Sequence, residues 1–123
     1  MSKILLVEDD EMICDMLSRH LQRRDYKVIV ATNGDESLSM AESEQPDVIL
    51  MDMNMPIMDG LEATRLIKKN PATAHIPIVI LSGHVMHAHM EKAKSLEGGA
   101  DDYDTKPVNI ERLLGKIQAI LQK

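Results

Sequence analysis

The chain has 123 residues, and its 14 Lys and Arg against 20 Asp and Glu leave a formal net charge of −6 at pH 7. That length suits one core of ordinary domain size, and the acidic balance argues against holding a nucleic-acid backbone, which relies on Lys and Arg to displace counterions. The lone cysteine, Cys14, excludes an intramolecular disulfide and makes a reducing, cytoplasmic setting the default.

The first apolar run, Ile4 to Val7, stops at Glu8-Asp9-Asp10. It is far too short for a secretory signal or a membrane span. Three further runs, Val28 to Ala31, Val48 to Met51 and Ile78 to Leu81, share its length and β-branching, and all four read as buried strands. Asp102 to Lys106 is a fifth strand candidate, placed by its position between two helix-like stretches and before Pro107. Between the runs, Ile13, Leu17 and Leu21 are spaced by four, and Ile110, Leu113, Leu114, Ile117, Ile120 and Leu121 repeat the helical period. Shorter helical stretches cover Asp35 to Glu44, Leu61 to Lys69 and Met86 to Leu96, broken by Gln45-Pro46-Asp47, Asn70-Pro71 and Gly98-Gly99.

Strand and helix alternate five times, so the pattern predicts an α/β fold with a parallel sheet covered on both faces. The doubly wound order 2-1-3-4-5, that of flavodoxin, suits this size. Phe and Trp are absent and only Tyr26 and Tyr103 are aromatic, so aliphatic residues and ten methionines must fill the interior.

Ligands of open parallel sheets sit beyond the carboxyl ends of the strands. The runs end in Glu8-Asp9, Asp52, Ser82 and Lys106-Pro107, and in the order 2-1-3-4-5 these strands are neighbours. Three crowded carboxylates disfavour one another's ionisation, and a hard divalent cation relieves that. All-oxygen ligands without a Cys or His cluster favour Mg²⁺, with Mn²⁺ as the alternative. Asp52 lies centrally, where a carboxylate beside such a cation can attack phosphorus. Lys106 would neutralise one phosphoryl oxygen and Ser82 would hydrogen-bond another.

At these residues the chain resembles a response-regulator receiver domain of the CheY type. The resemblance runs end to end, through Lys3-Ile-Leu-Leu-Val-Glu-Asp-Asp10, Pro46-Asp-Val-Ile-Leu-Met-Asp-Met-Asn-Met-Pro-Ile-Met-Asp-Gly60, Ile76-Pro-Ile-Val-Ile-Leu-Ser-Gly83 and Gly99-Ala-Asp-Asp-Tyr-Asp-Thr-Lys-Pro107. It implies a phosphorylation-dependent switch of a bacterial two-component phosphorelay, in which Asp52 accepts a phosphoryl group from a sensor histidine kinase or phosphotransfer protein. Glu8 and Asp9 match the family's acidic pair, with Asp9 the preferred direct Mg²⁺ ligand beside Asp52 and the backbone carbonyl of Asn54. Ser82 takes the switch hydroxyl position and Tyr103 the switch aromatic. Their movement would reshape the surface made by Met86 to Leu96, the fifth strand and the helix from Ile110, and so regulate protein partners. The Lys106-Pro107 bond is typically cis in this family.

Two positions depart from the commoner pattern. Asp104 stands where an apolar residue is usual and is expected to add negative charge to the signalling surface. His84, with Asn54, occupies a position that tunes phosphoryl lifetime in the family.

Single residues also have plainer readings. Asp52 alone would pass for a loop cap, and Lys106 for a surface lysine paired with Asp102 or Asp104. His87 and His89 are two apart and do not share a helix face; Met51, Met53, Met55 and Met58 are ordinary packing; Cys14 reads as a packed helix residue. The rival functions are a Mg²⁺-dependent phosphohydrolase, a flavodoxin-like FMN carrier and a receiver-shaped scaffold that is never phosphorylated. The first lacks a second acid two residues after Asp52, the second lacks a phosphate loop after the first strand, and the third leaves the intact acidic site unexplained. The expectation is one receiver domain over residues 1–123 with no output domain. It would be a non-enzymatic switch, monomeric or weakly homodimeric, acting on other proteins without inserting in membranes.

Overall fold

The computed structural model describes residues 2–53, 55, 58–83, 99–106 and 108–122. Asn54, His84, His87, His89, the expected helix over Met86 to Leu96, Gly98 and the bond to Pro107 lie outside these residues. The elements run β1 (Lys3–Val7), α1 (Glu11–Gln22), β2 (Lys27–Ala31), α2 (Gly34–Glu44), β3 (Val48–Asp52), α3 (Gly60–Lys69), β4 (Ile78–Gly83), β5 (Asp102–Lys106) and α4 (Ile110–Leu121). The strands form one parallel sheet in the order β2-β1-β3-β4-β5, as the pattern predicts.

Alternation along the central strands makes two cores, because successive strand residues face opposite sides. Leu5, Val7, Ile49, Met51, Ile78 and Ile80 meet Ala41 of α2 and Ala63 and Ile67 of α3. Ile4, Leu6, Val48, Leu50, Val79 and Leu81 meet Leu17 and Leu21 of α1 and Leu113, Leu114 and Ile117 of α4. Fully burying one such side chain contributes about 1.5–3 kcal/mol, so the two layers fix the strand order firmly. Each of the four described helices starts on an Asp or Asn whose side chain accepts from the first turn: Asp10, Asn33, Asp59 and Asn109. Two strands run further than their apolar cores suggest. β3 includes Asp52 and β4 includes Ser82 and Gly83, so these polar residues are fixed by the ladder rather than carried on loops. Among the described residues, no helix is long and apolar enough to cross a membrane.

Candidate functional site

The central strand ends converge as the sheet order requires. Val7 pairs in register with Met51, and Asp52 with Leu81. Glu8 follows β1 directly, its backbone N–H donating to the Ala31 carbonyl at 3.0 Å. Glu8 and Asp52 are each 1% exposed, whereas Asp9 is exposed. One oxygen from each of the three carboxylates lies within 4.8 Å of the others.

The Lys106 ammonium enters this cluster. Lys106 Nζ donates to Asp52 Oδ1 at 2.7 Å and to Glu8 Oε2 at 3.2 Å. The other Glu8 oxygen accepts the Asp10 N–H at 3.2 Å. Burial, and then the charge of Asp52, push the Glu8 carboxyl above its ordinary value, against the opposing pull of Lys106 and the Asp10 N–H. Lys106 is driven the other way energetically. Burial alone would lower its value, but the hydrogen bond and charge of Asp52, followed by those of Glu8, outweigh it and hold the ammonium above its ordinary range. Lys106 therefore stays charged, while the surroundings of Glu8 disfavour its ionised form.

Ser82 is fully buried, one residue beyond the register partner of Asp52 and opposite Thr105 of β5. Tyr103 lies on β5 opposite Ile80, half-buried against the core that includes α3, with Lys116 Nζ 5.5 Å from its ring centre. Cys14 donates from Sγ to the Glu8 carbonyl at 3.3 Å. Burial, with Glu8 and the neighbouring acids, pushes its thiol up to about 11, which keeps it protonated and unreactive at neutral pH.

The expectation for Asp104 needs correcting. It does not add charge to the surface: it is 3% exposed, and its Oδ1 accepts Arg112 Nε at 2.7 Å. An isolated buried carboxylate is strongly unfavourable, so the guanidinium of α4 folds over β5 to meet it. Lys106 likewise pairs with neither Asp102 nor Asp104. Sequence reasoning missed Gly60, which packs so closely on β3 that an added Cβ would lie 2.2 Å from the Asp52 carbonyl oxygen. Its N–H also donates to the Met53 carbonyl at 3.0 Å, closing the turn behind Asp52.

The arrangement brings a buried carboxylate, a charged lysine and an all-oxygen acidic pocket together at one end of the sheet. Known proteins with this plan are numerous. The family model described as response regulator receiver domain matches residues 4–118. PilH of Pseudomonas aeruginosa is 37% identical over 121 residues, spanning 98% of both chains. The chain spans about half the length of other curated relatives, transcriptional regulatory proteins among them. The solved structure of chemotaxis protein CheY4 of Vibrio cholerae is similar at a TM-score of 0.90 with 34% identity, covering 98% of this chain and 99% of that one. The receiver domain of sensor histidine kinase PA1611 from Pseudomonas aeruginosa, described with a magnesium ion coordinated in its active site cleft, gives 0.88 at 29% identity over 99% and 98% of the two chains. A match of this extent, on a sheet whose ends gather three acids around one lysine, shows that the chain belongs to the response-regulator receiver domains, the phosphorylation-dependent switches of two-component signalling.

Proposed function

We propose that Asp52 is the phosphoacceptor, taking its phosphoryl group from the phosphohistidine of a sensor histidine kinase or phosphotransfer protein. The observation that carries this reading is Lys106 Nζ, seated between Asp52 and Glu8 at 2.7 and 3.2 Å where the strands end. A carboxylate oxygen of Asp52 attacks phosphorus as the P–N bond breaks, and the imidazole of the donor keeps the electron pair and takes up a proton. Lys106, already charged and aimed at Asp52, neutralises the oxygens of the transferring group.

The residues fit a Mg²⁺ ion. Oxygens of the three carboxylates lie within 4.8 Å of one another, and a hard cation, which takes oxygen ligands, would offset their mutual repulsion. Glu8, Asp9 and Asp52 would hold it, with the Asn54 carbonyl as the family resemblance implies. Bound there, the ion supplies charge neutralisation for the incoming phosphoryl oxygens.

Ser82 and Tyr103 are the switch pair of this reading, and Asn54 and His84 tune the lifetime. Output passes to another protein through the surface around β5 and α4, in the cytoplasm, from a monomer or weak homodimer.

The test is incubation with Mg²⁺ and acetyl phosphate, followed by intact mass, beside the Asp52→Asn variant. We expect a hydroxylamine-labile gain of about 80 Da, one phosphoryl group on one aspartate, in wild type alone. Uptake that persists in Asp52→Asn reassigns the acceptor. No uptake in either protein, with Mg²⁺ binding confirmed, favours a receiver-shaped scaffold or a receiver restricted to its kinase.

A further inference from the structure

Alternate residues of a strand share a face, and on β5 these are Asp102, Asp104 and Lys106. The first two meet cations of α4 one turn apart. Asp102 Oδ1 lies 3.5 Å from Lys116 Nζ, and Asp104 Oδ1 accepts Arg112 Nε at 2.7 Å. The strand spacing of two residues and the helix spacing of four cover nearly the same distance, roughly 6 to 7 Å, so the pairs form two rungs of a ladder. Lys106 is the next residue on that face.

Arg112 does more than neutralise Asp104. Its second nitrogen, Nη2, donates to Thr105 Oγ1 at 3.2 Å and, more weakly, to the Thr105 carbonyl at 3.4 Å. Lys116 donates to the Tyr103 carbonyl at 2.6 Å. Thus β5, an edge strand, is held on one side by its ladder with β4, including Ser82 against Thr105 and Gly83 against Lys106, and gripped by α4 at Tyr103, Asp104 and Thr105. The Asp104 carboxylate is almost fully buried, and its Oδ2 has no hydrogen-bond partner among the described residues. A buried charge satisfied on one oxygen is an expensive way to fasten a helix to a strand. Apolar packing would hold α4 as well, but it would not direct a donor onto the residue that precedes Lys106.

We propose that Arg112 is a positioning residue for Lys106, acting through Asp104 and Thr105 to fix the direction in which the lysine leaves the end of β5. Lys106 must reach two carboxylates from the last position of an edge strand, on a long side chain whose aim is set by its root. The inference rests on the proposed phosphoacceptor reading for its consequence, and on the ladder geometry for its substance.

The test compares Arg112→Ala with the apolar pair Asp104→Val/Arg112→Met. Replacing both members of a buried ion pair by apolar residues is often neutral or stabilising, so the pair variant keeps the fold if the single variant does not. The direct readout is the resting-state reactivity of Lys106 towards trace acetic anhydride, read by peptide mass spectrometry with exposed Lys27 as the internal reference. We expect Lys106 to be acetylated severalfold faster in both variants, and even where the pair variant melts at or above the wild-type temperature. Phosphoryl uptake from acetyl phosphate should fall by about tenfold, short of the roughly 100-fold that a full 1 Å misplacement can cost. A stable pair variant with wild-type protection of Lys106 overturns the proposal and leaves Arg112 a purely structural partner. Wild type that takes up no phosphoryl group from acetyl phosphate or from a phosphorylated histidine kinase, while Lys106 protection still depends on Arg112, overturns the phosphoacceptor reading and keeps this one.

Discussion

The pocket at the strand ends and the ladder between β5 and α4 are built from the same materials and balanced differently. In the ladder each carboxylate has its own cation, Asp102 with Lys116 and Asp104 with Arg112. In the pocket Glu8 and Asp52 share one lysine, Lys106, and Asp9 lies beside them. One-to-one pairing inside a protein holds two elements together. Crowded acids favour a further positive charge, and the Glu8 carboxyl, raised first by burial and then by the charge of Asp52, lies at the buried end of that crowd. The molecule therefore has a static electrostatic clasp and a poised one, separated by a single strand face on which Lys106 belongs to both.

The largest way to break the poised region is to push on its backing. Gly60 opens α3 with its Cα against β3, and a methyl group there would lie 2.2 Å from the Asp52 carbonyl oxygen and 2.9 Å from the Asp52 carbonyl carbon and Met53 Cα. These are backbone atoms of a central strand and cannot turn aside. Gly60→Ala should cost about 3 kcal/mol, the upper end of the usual range for overpacking, and should displace Asp52 so that phosphoryl uptake falls further than stability explains. Thermal or urea unfolding beside an uptake assay checks both. A variant of wild-type stability and uptake would mean that the turn behind Asp52 is soft.

The contrast also marks what the sequence discloses. The strands of the centre are legible because β1, β3 and β4 are buried on both faces and read as continuous apolar runs. β5 is legible only by position, since Asp102-Tyr-Asp-Thr-Lys106 has the composition of a loop. Its polar residues are tolerated because α4 supplies their partners. The pocket follows from topology, as parallel strands bring the residues at their ends together whatever lies between them in the chain. Arg112 does not follow. On an amphipathic helix it has the look of a solvent-facing residue, and Asp104 beside it reads as surface charge. The signal that could have paired them is the matching of spacings, two on the strand and four on the helix, with opposite signs. Gly60 is silent for another reason, since closeness between backbones leaves no pattern in side-chain type.

A smaller change sharpens the claim of surplus charge. Glu8→Gln removes one carboxylate charge from the pocket while Lys106 keeps Asp52. Because the folded-state value of Glu8 lies above the ordinary 4.5, its ionised form costs stability at neutral pH, and that cost disappears as pH falls through the raised value and the group protonates. The variant should therefore be more stable than wild type at pH 7 by about 1 kcal/mol, a typical gain on relieving a functional strain. The advantage should shrink towards zero as the pH is lowered to the unperturbed range. Added Mg²⁺ should raise the thermal midpoint of wild type more than that of the variant, since ligand stabilisation follows affinity. A variant less stable than wild type at pH 7 would show that Lys106 already balances the cluster.

The smallest effect comes from repeating the glycine substitution on the other side of the comparison. Gly115 lies inside α4, between Arg112 and Lys116, and a Cβ there meets nothing within 4 Å. A helix-interior glycine is less favourable than alanine by roughly 0.5–1 kcal/mol, through backbone entropy alone. Gly115→Ala should therefore raise stability by that amount, opposite in sign to Gly60→Ala, and the stiffer helix should leave Lys106 as protected from acetylation as in wild type. The sign separates two explanations of the ladder. If α4 holds β5 through a fixed geometry, a more rigid α4 preserves the grip of Arg112 on Asp104 and Thr105. If the helix must flex at Gly115 to bring Arg112 and Lys116 onto the strand together, the alanine weakens one rung. Lys106 then becomes easier to acetylate even though the helix itself is more stable.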